Sequence, residues 1–390
     1  MKTTAWPYII LSYMSLFVYG FTDNIRGPLF PEILANYKVS DTVGSWMFAM
    51  SSLSGFAASY LARHFLRKFD RKNVLQVAAI IAILALAGMA FSRNFAFFLT
   101  FSFISGISQG ILALVPNILV PLAASAERKQ QFLSGLHAMY GLASFLAPLA
   151  AAAVALATPN WRWTFLLAGL GPLFLFSYSL RAKHPLFDNE DRNETPPPPA
   201  PTSHRHALPQ IFLASMVSFN VAAEVLISSR LALYMRREMN YSLEAASLYV
   251  TYFFIGMLAG RLFFAAYKFS LPTRQQLSIS LLSTAVLIVL GLFVHPLFLP
   301  LTGLAIAPFY PLSISFISSE FPEDLDSAIS YMTAMDSFML IVMHLTVGKL
   351  TQSFGIKQAF FSGLFFLLVS YFLTNTYAYF FHRRKVTPQA

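Results

Sequence analysis

The chain has 390 residues, 56% of them hydrophobic and only 11% charged, with a mean hydropathy of +0.60. Soluble domains carry about 25% charged residues, so the polar surface of a water-soluble fold is missing here. Cysteine is absent, which excludes disulfides, thiolate metal sites and a cysteine nucleophile.

A helix needs roughly 20 mostly apolar residues to cross a hydrocarbon core about 30 Å thick. The sequence predicts six such spans at 7–34, 41–62, 74–91, 95–121, 131–157 and 162–180. Six more follow at 209–235, 243–265, 275–294, 297–318, 328–351 and 356–381. Between the two sets lies a polar stretch, LFDNEDRNETPPPPAPTSHRHAL, whose four consecutive prolines favour an extended tether over a packed helix. The expected fold is an all-α membrane protein of twelve transmembrane helices in two six-helix bundles with pseudo-two-fold symmetry. The bundles occupy 1–185 and 209–390, joined by a cytoplasmic proline-rich linker over 186–208. Six plus six is the layout of a two-bundle secondary transporter.

The net charge of +10 raises nucleic acid as a partner, but the distribution of the basic residues argues against it. In the twelve-helix arrangement 18 Lys and Arg residues fall on the side bearing both termini, and six on the other. The first group includes Arg63, Arg67, Lys68, Arg71, Lys72, Arg261, Lys268 and the tail Arg383–Lys385. Basic loops mark the cytoplasmic side, which puts both termini there, in a bacterial inner membrane. The first apolar segment is too long for a removable signal peptide and no small-x-small cleavage site follows it.

Helix one breaks the rules of an ordinary span. GFTDNIRGPLFPEI, Gly20–Ile33, carries Asp23, Arg26, Gly27, Pro28 and Pro31 within a dozen residues. A charge near the bilayer centre costs about 2.5–3.5 kcal/mol on insertion scales, so it should face protein or a water-filled cavity. Asp23 and Arg26 are i,i+3 neighbours able to neutralise each other. They read either as a substrate or ion site or as a structural pair locking helix one to a neighbour.

Helix seven places Asn220 and Glu224 on one face at i,i+4, while Arg230 lies about 240° around from Glu224. Glu224 therefore lacks an obvious counter-ion in its own helix and is a candidate proton-coupling carboxylate, with interhelical packing as the plainer role. Helix eleven adds Asp336 and His344, about 80° apart around the axis and able to share one cavity wall. His137 in helix five joins them as a candidate. Gln109, Asn117, Tyr140, Tyr249, Tyr252 and Tyr310 are amide and aromatic residues suited to hydroxylated ligands, or to packing. Helices one and seven each carry an acid about sixteen positions from the cytoplasmic start, Asp23 and Glu224, with an arginine beyond, as duplicated halves would. Walker, HExxH and GxSxG motifs are all missing, so no enzyme is expected. Gly106–Gly110 reads as a close helix-packing surface.

Several stretches resemble the major facilitator superfamily, most closely its fucose/galactose/glucose proton symporter group and the sodium-dependent glucose transporter-like proteins. The loop Arg67–Leu75 resembles the basic signature between helices two and three, with Arg67 where aspartate is usual and Asp70 where glycine is usual. Gly106, Ser108, Gly110 and Asn117 resemble the group's GxGxG…N pattern, and Leu136–Pro148 resembles its LHxxFGxGAxxGP. Gly303–Pro322 and Gly260–Phe263 resemble its helix-ten and GRLF stretches. An acid usual in helix four falls at Ala113, and the helix-one aspartate of the symporters aligns with Gly27, one turn after Asp23. The group's usual coupling pair does not transfer.

The expected function is secondary active transport of a small polar organic solute, a sugar first, by alternating access coupled to a proton or sodium gradient. An exporter of drugs or amphipathic metabolites is the alternative, for which the GLASFLAP stretch of helix five is a partial match. The expected partners are that solute and the lipid bilayer, with no nucleic acid, no cofactor and no second copy.

Overall fold

The computed structural model describes residues 4–66, 68–125, 128–183, 207–267, 269–321 and 324–381. Nearly all of the proline-rich linker, Arg67 of the signature loop, Lys268 and the basic tail lie outside the described residues.

The described chain is helical. In order the helices are α1 (Trp6–Asn24), α2 (Arg26–Tyr37), α3 (Asp41–Phe65), α4 (Arg71–Phe91), α5 (Phe95–Ala123), α6 (Lys129–Ala157), α7 (Trp163–Ala168) and α8 (Leu170–Arg181). Then come α9 (Ala207–Arg237), α10 (Leu243–Ala266), α11 (Thr273–Phe293), α12 (Phe298–Ile306), α13 (Phe309–Glu320), α14 (Leu325–Phe354), α15 (Ile356–Ala359) and α16 (Phe361–Phe381). Among the described residues ten helical stretches are long and apolar enough to cross a membrane, and they are the expected spans three to twelve. The first two expected spans also fold as helices, α1–α2 and α3. The protein is an all-α, multi-pass integral membrane protein. Asp70 and Asn94 cap α4 and α5, accepting from the backbone N–H of Lys72 (3.2 Å) and Phe97 (3.0 Å).

The chain forms two compact units. Among the described residues the first takes those within 1–40, 46–198 and 242–251, and the second those within 41–45, 199–241 and 252–390. In the first, α1 packs on α5 and α6, and α4 on α5 and α8, around a core that includes Tyr8, Leu11, Leu75, Leu112, Leu119 and Leu175. In the second, α9 packs along α14 and α16, and α11 along α12 and α16. Large apolar side chains also point outward, among them Phe91, Leu156, Phe293 and Phe372. In water they would be costly; against lipid tails they match their surroundings.

Four spans are interrupted, at Ile25, Gly169, Ala307–Pro308 and Phe360, each with right-handed helical backbone at the interruption, and two of these lie beside polar residues. Helix one interrupts at Ile25, between Asp23 and Arg26. Helix ten interrupts at Ala307–Pro308, just before Tyr310. A broken helix frees backbone polar groups, which a membrane protein tolerates where they face protein or a cavity.

Candidate functional site

Glycine seams position the polar residues in each unit. In the first, a Cβ on Gly106 would collide with the Ser51 carbonyl, and one on Gly110 with the Gly55 carbonyl. These backbone-to-backbone approaches draw α3 and α5 together, as the small residues of Gly106–Gly110 suggest. In the second, a Cβ on Gly303 would collide with the Phe253 carbonyl, and one on Gly260 would meet Ala307 Cβ at 2.6 Å. That seam holds α10 against α12, with Arg261 directly after its glycine.

In the first unit the α3–α5 seam brings Gln109 to Ser51, whose hydroxyl donates to Gln109 Oε1 (3.2 Å). Arg26 Nη2 donates to the same oxygen (3.3 Å) and forms the ion pair with Asp23. The guanidinium also lies 5.6 Å from the Phe48 ring centroid, within cation–π range. The pair is uneven: the Arg26 side chain is 5% exposed and that of Asp23 30%. Arg26 Nη1 is buried without a hydrogen-bond partner. The expected Asp23–Arg26 neutralisation is present, but it bridges the helix break.

Asn24 extends this cluster. Its Nδ2 donates to the Gly20 carbonyl (2.8 Å), to Ser144 Oγ (3.0 Å) and to Tyr140 Oη (3.4 Å). The Tyr140 ring tilts against Tyr19 with centroids 5.3 Å apart. His137 is exposed one turn before Tyr140 on α6. Asn117 stands apart, exposed and donating to the Ala113 carbonyl of its own helix (2.8 Å).

The second unit holds another polar cluster. Ser218 of α9 donates to Asp336 Oδ1 of α14 (2.7 Å). Glu224 lies within electrostatic range of Asp336 and of Arg261, and Tyr310 within range of all three. Asn220 is fully buried, and neither of its side-chain polar atoms has a hydrogen-bond partner. Arg261 stands three residues before the end of the span Leu243–Phe264, and its Nε is buried and unpartnered. Glu224 has no cation within a turn on its own helix, and the arginine that acts on it electrostatically, Arg261, stands on α10.

Asp336 and His344 both turn toward α9, but at different depths. His344 Nδ1 lies 3.5 Å from Nη2 of the fully buried Arg230, so that nitrogen accepts, since a guanidinium only donates. Their partners Ser218 and Arg230 are separated by roughly 18 Å of helix. Arg230 Nη2 also donates to Ser45 Oγ (3.1 Å), in the first turn of α3, which belongs to this second unit.

Sequence reading missed Asn24, Ser51, Ser218 and Arg261. Asn24 lay within the polar segment of helix one and Arg261 within an apolar helix, so both carried a visible signal. The two serines were indistinguishable from ordinary intramembrane hydroxyls.

Comparisons with known proteins bear on the fold and the family. A Protein TsgA homolog from Edwardsiella ictaluri is 21% identical over 346 residues, spanning 88% of this chain and 85% of that protein. Another from Buchnera aphidicola subsp. Baizongia pistaciae is 19% identical and spans 94% and 95%. A bacterial homologue of the human lysosomal transporter Spinster superposes with a TM-score of 0.79 at 12% identity, over the whole of both chains. A D-xylose–proton symporter gives 0.74 at 12%, covering 96% of this chain and 97% of that one. These structural likenesses carry the fold alone. The Major Facilitator Superfamily profile matches residues 13–325 and 211–389, most of the sequence, and the chain belongs to that superfamily.

Proposed function

We propose that the protein is a secondary active transporter of a small polar organic solute, a sugar first, working by alternating access coupled to a proton or sodium gradient. The observation that carries this reading is the buried Arg26 site. A neutral arginine–carboxylate pair, Gln109 and Ser51 meet at a helix break, with Arg26 Nη1 left unpartnered. A lone buried donor of this kind costs about 1–3 kcal/mol unless an acceptor arrives, and a hydroxyl or carbonyl oxygen of a solute is such an acceptor. The glycine seam found in each unit favours two duplicated six-helix halves, joined by the linker. The excess of basic residues on the side of the termini favours cytoplasmic N- and C-termini in a bacterial inner membrane. The carrier is read as a monomer.

A second reading, export of an apolar or amphipathic compound, has its own support. The second unit contains a cavity of about 620 Å³ lined mainly by apolar side chains, among them Phe219, Met339, Phe361 and Phe365. A thermal-shift screen of purified protein against sugars, other metabolites and amphipathic drugs separates the two, run with and without sodium and across pH. The first reading expects a hydroxylated solute to raise the midpoint of the wild type but not of Gln109→Leu. Stabilisation by amphipathic drugs alone would favour the second.

A further inference from the structure

The 620 Å³ cavity of the second unit is a groove on its flank. Val342, Phe361 and Phe365 line it and are 37%, 40% and 58% exposed, while Met339 and Phe366 at its floor are buried. It runs between α14 and α16, consecutive spans that both pack on α9 and hardly on each other. Phe219 of α9 closes the back of the gap, its ring centroid 6.2 Å from that of Phe366. On α14 the lining residues are Met339, Val342, Thr346 and Leu350, a single stripe along one helix face. Those eleven steps of helix rise roughly 16 Å, about half of a 30 Å hydrocarbon core. The groove is one leaflet deep.

Its chemistry is graded along that depth. The inner end, Phe219, Met339 and Phe366, is apolar, whereas the end at the start of α16 carries Gln358 and Ser362. Lys357 stands beside that polar end. Its Nζ lies 5.1 Å from the Phe293 ring centroid, and the Phe293 ring lies 6.0 Å from that of Phe361 in the groove wall. Among the described residues Lys357 forms no ion pair.

We propose that the groove binds one phospholipid, with a single acyl chain between α14 and α16 and the headgroup phosphate at Lys357. A chain tethered at the membrane surface matches a groove that is apolar inside, open along its side and polar and cationic at its outer end. A partner helix about 10 Å across and 16 Å long displaces roughly twice the volume available. A compact polar solute would leave the aromatic walls without contacts. The lipid supplies the packing that α14 and α16 do not give each other, so its effect is on stability. The inference goes beyond the transporter reading and holds whichever solute is carried.

Purified full-length protein, stripped of lipid in detergent, is titrated with three probes. Dioleoyl phosphatidylglycerol has chains and phosphate, dioleoylglycerol has the chains alone, and glycerol phosphate has the phosphate alone. Native mass spectrometry counts bound lipid and thermal unfolding reads its effect. The wild type should hold one phosphatidylglycerol tightly, with a raised midpoint, and dioleoylglycerol more weakly. Lys357→Gln should weaken that binding about fivefold, the worth of one cation near an anionic headgroup. Val342→Trp places an indole in the groove from an outward-facing position and should abolish the binding. If Val342→Trp does not purify as monodisperse protein, Lys357→Gln decides alone. The proposal is overturned if the purified variants hold the lipid as the wild type does, or if dioleoylglycerol binds as tightly as phosphatidylglycerol. It is also overturned if glycerol phosphate raises the midpoint of the wild type as much as the lipid does but leaves Lys357→Gln unmoved, which would mark a site for free anions.

Discussion

Arg26 and Asp23 form an ion pair in which the arginine is buried and the carboxylate faces outward, with side-chain exposures of 5% and 30%. Arg26 also reaches Gln109 on α5, so the pair is part of a network and not an isolated helix contact. The two residues differ in consequence. Asp23 can meet an incoming solute or ion, whereas Arg26 is committed to the protein on every side but one.

Asp23→Asn strands the Arg26 charge inside the first unit. Breaking a buried pair from one side costs about 3–5 kcal/mol, so expression of folded protein should fall sharply. Asp23→Asn/Arg26→Gln removes both charges and should recover much of that loss. Fluorescence size-exclusion profiles of the three proteins measure this. Equal loss in the single and double variants would show that charge balance is not what the pair supplies.

Gly110→Ala tests the seam that delivers Gln109 to Arg26. The added methyl meets the Gly55 carbonyl, so α3 and α5 must separate. Overpacking of this kind costs about 1–3 kcal/mol. The thermal midpoint should drop, and any solute that stabilises the wild type should bind more weakly. Gly171→Ala serves as the comparison, because its Cβ would meet only Val18 Cγ2 at 3.3 Å. Similar losses at both positions would remove the seam from the account.

Both termini are expected in the cytoplasm. Cysteines placed at Thr195 and Thr387, in a chain with no cysteine of its own, should resist an impermeant thiol reagent in intact cells. They should react once the membrane is opened. Labelling of both in intact cells would invert the topology.

Much of the fold was legible because the bilayer imposes one rule, apolar length, on every span. The limits of α4, α5 and α11 fall within a few residues of the expected 74–91, 95–121 and 275–294. The helix-one break was foreshadowed by Gly27, Pro28 and Pro31, and Asp23–Arg26 by their spacing. Partners across helices were not legible. Nothing near Glu224 in sequence points to Arg261, because the two stand on different helices, α9 and α10. Asn117 shows the converse: a residue suited to a site that satisfies itself on its own helix.

Ion-coupled transport is the central claim, and Glu224→Gln tests it most directly. Glutamine matches glutamate in size and carries no charge to desolvate, so the variant should fold normally. A solute that stabilises the purified wild type is supplied to proteoliposomes, with and without an imposed proton or sodium gradient. The account predicts that the wild type accumulates it above equilibrium only with a gradient. Glu224→Gln should still exchange labelled for unlabelled solute, yet lose that accumulation. Full accumulation by Glu224→Gln, or wild-type uptake that no gradient can raise above equilibrium, would contradict the account.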